Sequence, residues 1–252
     1  MPYSSRTRRS GYSYSGFFPV GVKWLLITNV SLFVLYYFSV QFGFAGLFHH
    51  LGLIPAEVVY RFSIWQLVTY MFLHDPTGFG HIIFNMLTLW MFGKDLEQTW
   101  GTRRFLKYYF LCGIGAGVCA VVGNLIFGNA ETRTIGASGA IYGLLLAFGM
   151  LFPDVQILWS FILPIKAKYF VAILGAIEFM LSFASSGSNV SHVAHLGGML
   201  FGYVYLKSSR SRSGLLDSWQ EWYKNYKLQR AKRKFQVYLK KRGSGDRDRW
   251  VN

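Results

Sequence analysis

Six separate apolar segments constrain this chain more than any other feature of its sequence. Asn85 interrupts the second segment and His195 the sixth. A helix that crosses a bilayer needs about 20 apolar residues, and several of these segments fall slightly short of that length. The pattern predicts an all-α membrane protein, a bundle of six transmembrane helices with a long outer first loop. The predicted spans are about 22–42, 80–97, 105–127, 135–152, 167–184 and 191–207.

Composition supports a membrane protein and argues against a soluble one. Hydrophobic residues make up 52% of the chain and charged residues only 15%, yet the net charge is +15. An average soluble domain has roughly 25% charged residues. A soluble nucleic-acid-binding protein can share such a charge, but not several apolar runs near membrane length. We therefore expect no nucleic acid as a partner.

The basic residues near the span ends predict the orientation. Lys and Arg collect on one side of the predicted spans, whereas the other side has only Arg61 and Arg133. Basic residues favour the cytoplasmic side, so both termini are predicted to be cytoplasmic. We find no organellar transit signature, and a bacterial cytoplasmic membrane is the simplest location. The predicted parts are a basic N-terminal segment at 1–19, a six-span domain at 20–207 and a basic tail at 208–252.

The tail is predicted to contact lipid. From Lys207 onward the chain has 14 of its 26 basic residues and only 4 of its 11 acidic ones. Aromatic and basic residues recur with helical spacing over residues 215–242. An amphipathic helix of this kind suits the surface of an anionic cytoplasmic leaflet.

Four polar side chains lie at one depth of the predicted bundle. His81 and Asn85 are four residues apart and share a helix face near the outer end of the second span. Ser138 begins the fourth span, and His195 lies about one turn into the sixth. Polar groups in a membrane need partners or a water-filled cavity. A hydroxyl, two imidazoles and an amide at one depth favour a catalytic site over isolated interhelical hydrogen bonds.

Glycines indicate how the serine and the histidine meet. Gly139 with Gly143, and Gly198 with Gly202, form G-x-x-x-G patterns beside Ser138 and His195. Small residues let two helices approach closely, so contact between these faces is expected to bring the two side chains within reach. Gly136 is expected to free the backbone for the turn into the fourth span.

Tyr142 follows Ser138 by one turn. It is placed to stack on the His195 ring, or simply to pack there. The three spans carrying these residues offer no acidic side chain at this depth, and the sequence assigns no role to Glu178 in the fifth span.

These motifs together resemble the rhomboid intramembrane serine proteases. The resemblance rests on "GASG" around Ser138, "HIIFN" from His81 to Asn85 and "AHLGGMLFG" containing His195, in that order, and covers about residues 20–207. It implies cleavage of transmembrane proteins near the outer membrane boundary, without a cofactor.

The resemblance also implies roles for single residues. Ser138 would be the nucleophile, His195 its base, and His81 and Asn85 would stabilise the oxyanion. Phe84 matches a position lining the substrate path between the second and fifth spans, and we assign Trp65 to the same path. The family often has Trp-Arg in the first loop, where this chain has Trp65-Gln66, so the arginine's contacts are in doubt.

Three other interpretations of the sequence concern a noncatalytic protein, a transporter and a zinc site. A noncatalytic rhomboid-like protein that binds transmembrane clients is expected to lack the serine or the histidine. A transporter is expected to carry charges along a full-depth path. A zinc site of His81, His192 and His195 lacks a supporting carboxylate, so we predict no metal. His49, His50 and His74 are expected at the membrane–water interface without a role, and the sequence leaves substrate and oligomeric state open.

Overall fold

The computed structural model describes residues 18–159, 163–183 and 192–208, and these are mostly helical. The helices are α1 Val20–Gln41, α2 Gly46–His49, α3 Pro55–Tyr60, α4 Gln66–Thr69, α5 Phe79–Trp100, α6 Thr102–Phe127, α7 Ser138–Leu151, α8 Ala167–Leu181 and α9 over 192–208. A 3₁₀ turn at Tyr70–Phe72 follows α4. Each of the six predicted apolar segments coincides with one of α1 and α5 to α9.

Two of these helices have the length and composition of a membrane span by themselves. They are α1 and α6, with 22 and 26 residues, and α7 is a shorter apolar helix of 14 residues. α5 is as long as α1, with 22 residues, but has Lys94, Asp95 and Glu97 near its end. Its charged end explains why hydropathy alone does not identify it.

A buried carboxylate joins the start of α1 to the end of α5. Glu97 is 3% exposed and accepts hydrogen bonds from the backbone N–H groups of Gly21 at 2.8 Å and Val22 at 2.7 Å. The Thr102 hydroxyl donates to the same side chain. The first N–H groups of a helix have no partner within it, and α1 has no side-chain cap of its own. Glu97 of α5 therefore caps the free N–H groups at the start of α1.

The helix α7 is the centre of the described fold. It packs against α5, α6 and α8, and its buried residues include Gly139, Gly143 and Gly149. The thiols of Cys112 and Cys119 in α6 are free and face small residues, Cys112 facing Gly143. The two cysteines therefore act as small packing residues.

The long first connection folds onto the helices. Leu53 pairs through its backbone with Thr134, just before α7. Gln66 is fully buried, accepts a hydrogen bond from the Ile54 N–H at 2.9 Å and donates to the Glu57 carboxylate at 2.5 Å. The glutamine at the position where the family often has arginine thus organises this loop through its amide.

One element departs from the predicted all-α fold. The connection between α7 and α8 contains an antiparallel hairpin of β1 Gln156–Trp159 and β2 Leu163–Lys166, with Gln156 opposite Lys166. The β-branched and aromatic residues around it favour extended backbone. The predicted N-terminal segment, except residues 18 and 19, and the predicted tail helix at 215–242 lie outside the described residues.

Candidate active site

The start of α7 and the start of α9 bring a serine and a histidine into contact. Ser138 is the first residue of α7, and its Oγ lies 2.8 Å from Nε2 of His195. This is a normal hydrogen-bond distance for a hydroxyl and an imidazole. The pair is separated by 57 residues in sequence, so only the packing of the two helices brings it together.

Glycine backbone makes this packing possible. A Cβ atom placed on Gly198 would overlap the carbonyl oxygen of Gly139, an atom of the α7 main chain. Cβ atoms at Gly139 and Gly143 would instead overlap Ala116 and Cys112 of α6. The glycines of α7 therefore allow close packing against two helices. Their missing side chains leave room for α6, and the main chain at Gly139 contacts α9.

Tyr142 lies over the histidine ring. The two ring centroids are 4.2 Å apart and the planes differ by 11°, a stacked arrangement. Stacking restricts rotation of the imidazole and so keeps Nε2 directed at Ser138.

An acidic residue that the sequence left without a role lies behind the histidine. Glu178 of α8 is 6% exposed and accepts a hydrogen bond from the Tyr142 hydroxyl. Its Oε2 lies 2.6 Å from Nδ1 of His192 and 3.0 Å from Nδ1 of His195. The one available signal was its position, because it is the only acidic residue well inside the predicted fifth span.

The position of Glu178 corrects one reason given against a metal. Glu178, His192 and His195 each offer a ligand atom, and these atoms all lie within 4.8 Å of one another, so a carboxylate is present after all. Two ligand atoms of a tetrahedral zinc ion are roughly 3.3 Å apart, given metal–ligand distances near 2.0–2.1 Å. The 2.6 Å and 3.0 Å contacts are shorter, which favours hydrogen bonding and ion pairing among these groups. His81 is not part of this cluster.

A cavity lies beside the serine and is bordered by α5, α7 and α9. Its volume is about 210 Å³. His81 and Gly136 line it, and Gly136 has a φ of 127°, which side-chain-bearing residues rarely adopt. A Cβ on Gly136 would also lie 3.0 Å from the His81 ring. The lining residues are Tyr70, His81, Thr134, Ile135, Gly136, Ser138, Gly139, Ala194 and His195.

Asn85 lies one turn further along α5 and is not among the lining residues. It is 7% exposed, and within the described part of the chain its Nδ2 has no hydrogen-bond partner. A buried amide donor without a partner is costly. It is therefore available to a group that enters the site.

His74, to which the sequence assigns no role, lies beside His81. It is fully buried, with its ring centroid 5.1 Å from that of His81. Among the described residues neither ring nitrogen has a hydrogen-bond partner. Burial lowers the pKa of His74 to about 4, and the nearby His81 acts in the same direction. The neutral His74 ring packs against the ring of His81.

We expect acidification to destabilise the fold through His74. Its pKa is about 4 in the folded chain against an ordinary 6.5, so protonation favours the unfolded chain. The free energy of unfolding therefore does not suffer from His74 above pH 6.5, and it decreases as the pH falls toward 4. Between pH 7 and pH 5 the loss is about 2 kcal/mol. Thermal unfolding in detergent at the two pH values measures it. His81 and Asp75 are the neighbouring titratable groups, so His74→Phe is the variant that isolates His74. Equal acid sensitivity in His74→Phe and the wild type would show that His74 is not responsible.

The two residues predicted to line the substrate path lie on the surface and do not line the cavity. Phe84 is 72% exposed on α5 and Trp65 is 51% exposed at the start of α4. The indole N–H of Trp65 donates to the carbonyl of His50 at 3.2 Å. The structure therefore gathers Ser138, His195 and Tyr142, with His81 lining the same cavity, and leaves these two aromatic residues outside it.

Comparison with known proteins gives a family. The family model described as the Rhomboid domain matches residues 61–210. YdcA of Bacillus subtilis (strain 168) is 32% identical over 140 residues, covering 56% of this chain and 64% of that protein. "Rhomboid protease GluP" of the same organism is 32% identical over 139 residues, covering 55% of this chain and 25% of that protein.

A plant relative extends the comparison to eukaryotes. "RHOMBOID-like protein 1" of Arabidopsis thaliana is 33% identical over 155 residues, covering 59% of this chain and 36% of that protein. The chain spans less than two thirds of the length of each of these relatives. The family model, however, matches more than half of this chain. The chain therefore belongs to the rhomboid family, whose members are multi-pass proteins embedded in membranes.

Proposed function

We propose that this protein is an intramembrane serine endopeptidase that cleaves transmembrane proteins near the outer membrane boundary. The observation that carries the proposal is the 2.8 Å contact between Ser138 Oγ and His195 Nε2 beside the cavity. A serine hydroxyl becomes an effective nucleophile when an adjacent base removes its proton. An imidazole nitrogen within hydrogen-bond reach is such a base. The relatives named as rhomboid proteases support the same reaction class.

The reaction proceeds in two halves, and these two side chains carry its bond-forming and proton-transfer steps. Ser138 Oγ bonds to the scissile carbonyl carbon while His195 Nε2 takes the hydroxyl proton, and this proton passes to the leaving amine as the C–N bond breaks. Water then attacks the acyl carbon and gives a proton to Nε2. That proton returns to Ser138 as the C–O bond breaks and the acid is released. The reaction as written requires no cofactor.

Donors near the cavity are proposed to stabilise the oxyanion of each half-reaction. His81 lines the cavity, Asn85 offers an unpartnered Nδ2, and the Ser138 N–H belongs to the first turn of α7. The first N–H groups of a helix have no partner within it and form the positive end of its dipole. Such donors act on charge that develops in the transition state.

We expect Asn85→Ala to lower kcat by about 10²- to 10³-fold with little change in KM, because the donor acts in the transition state. Cleavage kinetics in liposomes measure the effect. Asn129→Ala removes an exposed asparagine of the α6–α7 connection and is the matched control. A wild-type kcat in Asn85→Ala would remove this residue from the oxyanion site.

We further propose that α1 and α5 to α9 cross a bacterial cytoplasmic membrane with both termini in the cytoplasm. The basic residues near the predicted span ends support this orientation. It places the starts of α5, α7 and α9 and the end of α8 at the outer face. These are the ends that carry His81, Ser138, His195 and Glu178.

The substrate is proposed to approach between α5 and α8. These helices touch through the rings of Phe92 and Phe170, whose centroids are 6.3 Å apart. Toward the site, α5 and α8 expose large apolar side chains, with Phe84 and Met180 each 72% exposed. Exposed apolar surfaces of this kind suit a transmembrane segment that leaves the lipid for the site.

Reconstituted full-length protein with a varied set of tagged single-span proteins in liposomes tests the function. We expect a fragment cut near the outer end of the span, and no fragment after treatment with a serine-reactive fluorophosphonate. Binding of the single-span proteins without cleavage of any would favour a noncatalytic client-binding protein. Cleavage that survives the fluorophosphonate but stops with a chelator would indicate another class of protease.

A further inference from the structure

Glu178 holds more contacts at the site than a packing role requires. One oxygen of its carboxylate accepts from the Tyr142 hydroxyl, and the other lies 2.6 Å from Nδ1 of His192 and 3.0 Å from Nδ1 of His195. The opposite nitrogen of His195, Nε2, is the one that contacts Ser138. The order of contacts is therefore hydroxyl, imidazole and carboxylate.

We propose that Glu178 is a positioning residue that holds His195 in the tautomer and orientation needed to accept the Ser138 proton. The inference rests on the proposed Ser138–His195 chemistry and extends that pair to an arrangement of three side chains on α7, α8 and α9. A third group that orients the base and stabilises its charged form is the general logic of a serine triad.

The tautomer follows from the charge of the carboxylate. An ionised carboxylate only accepts hydrogen bonds, so a bare lone pair on Nδ1 would repel it at 3.0 Å. The proton of neutral His195 therefore resides on Nδ1, which leaves Nε2 bare and facing Ser138. When Nε2 takes the serine proton, the imidazolium charge lies next to Glu178, and no proton moves to the carboxylate.

Two other side chains fix the carboxylate itself. Tyr142 donates to Oε1, and His192 holds Oε2. The contact from His195 Nδ1 to Oε2 is short but falls outside the geometry of a straight hydrogen bond. Contacts of this kind tighten when substrate binds and the base becomes charged. Tyr142 thus acts twice, by stacking on His195 and by holding its carboxylate partner.

Glu178→Gln keeps the shape of the side chain and removes its charge. We expect kcat to fall about 10²- to 10³-fold with KM changed less than about 3-fold. The rate of fluorophosphonate labelling should fall by a similar factor while the adduct stays on Ser138. Glu178→Asp restores a carboxylate and should recover at least about tenfold of the lost kcat. Glu131→Gln, the same change at an exposed residue of the α6–α7 connection, is the matched control.

Ser138→Ala in the same assay separates this inference from the proposed function. If Ser138→Ala cleaves normally, the proposed function fails; if it is inactive while Glu178→Gln has wild-type kcat, only the role of Glu178 fails. A Glu178→Asp variant that is folded, by its thermal unfolding, yet no more active than Glu178→Gln would also overturn that role. A metal role would also overturn it. The wild type would then lose activity with a chelator and would bind zinc, whereas Glu178→Gln would not bind zinc, because Glu178 would be a metal ligand.

Discussion

Replacing Ser138 by alanine is expected to lower the rate of cleavage by at least about 10⁴-fold, and replacing His195 by alanine is expected to have a similar effect. The hydroxyl and the imidazole act as one unit, so losing either removes nearly the whole of their contribution. The double variant should therefore be hardly slower than either single one. Initial rates on a tagged single-span protein in liposomes measure the three variants against the wild type.

Two substitutions of the same kind serve as controls. Ser39→Ala removes a hydroxyl that donates to a backbone carbonyl within α1, and His49→Ala removes an exposed imidazole of the first connection. Both should cleave at close to the wild-type rate. Variants of Ser138 or His195 that keep their melting temperature and cleave normally would remove the pair from the mechanism.

Gly198→Val is expected to lower kcat strongly and to destabilise the fold at the same time. Its new side chain would overlap the main chain of α7 at Gly139, and main chain cannot move aside as a flexible side chain can. Overpacking of a core costs about 1–3 kcal/mol, and a shift of about 1 Å between reacting groups costs about 10²-fold in rate. Thermal unfolding and kcat, measured on the same preparation, report the two effects.

Gly46→Val is the matched control for this prediction. A Cβ on Gly46 meets nothing within 4 Å, so the same substitution should change neither the melting temperature nor kcat. Full activity in Gly198→Val would mean that α7 and α9 do not need the close approach seen at Gly139. The glycine pattern would then have no part in bringing Ser138 and His195 together.

The helices of this fold were predictable because their apolar runs are long. Family membership, which the motifs around His81, Ser138 and His195 indicated, is confirmed by the match to the family model. The hairpin between α7 and α8 was missed, because two strands of 4 residues each leave little periodicity to detect.

The positions of Glu178 and His74 in the site could not be predicted from the sequence. Positions along the apolar segments predict which residues share one end of three helices, but they do not show which way a fourth helix turns its side chains. The contact of Glu178 with His195 therefore depends on the rotation of α8. The sequence likewise places His74 beside α5 without showing that the first connection folds over it and buries it completely.

Ser138 is proposed as the nucleophile and His195 as its base. Peptide mass spectrometry of the full-length protein in detergent, after reaction with a fluorophosphonate, tests it most directly. One phosphonyl group on the peptide that contains Ser138, with labelling slowed at least about 10³-fold in His195→Ala, is the predicted result. An adduct on another residue, or equally fast labelling without His195, would contradict the roles of Ser138 and His195.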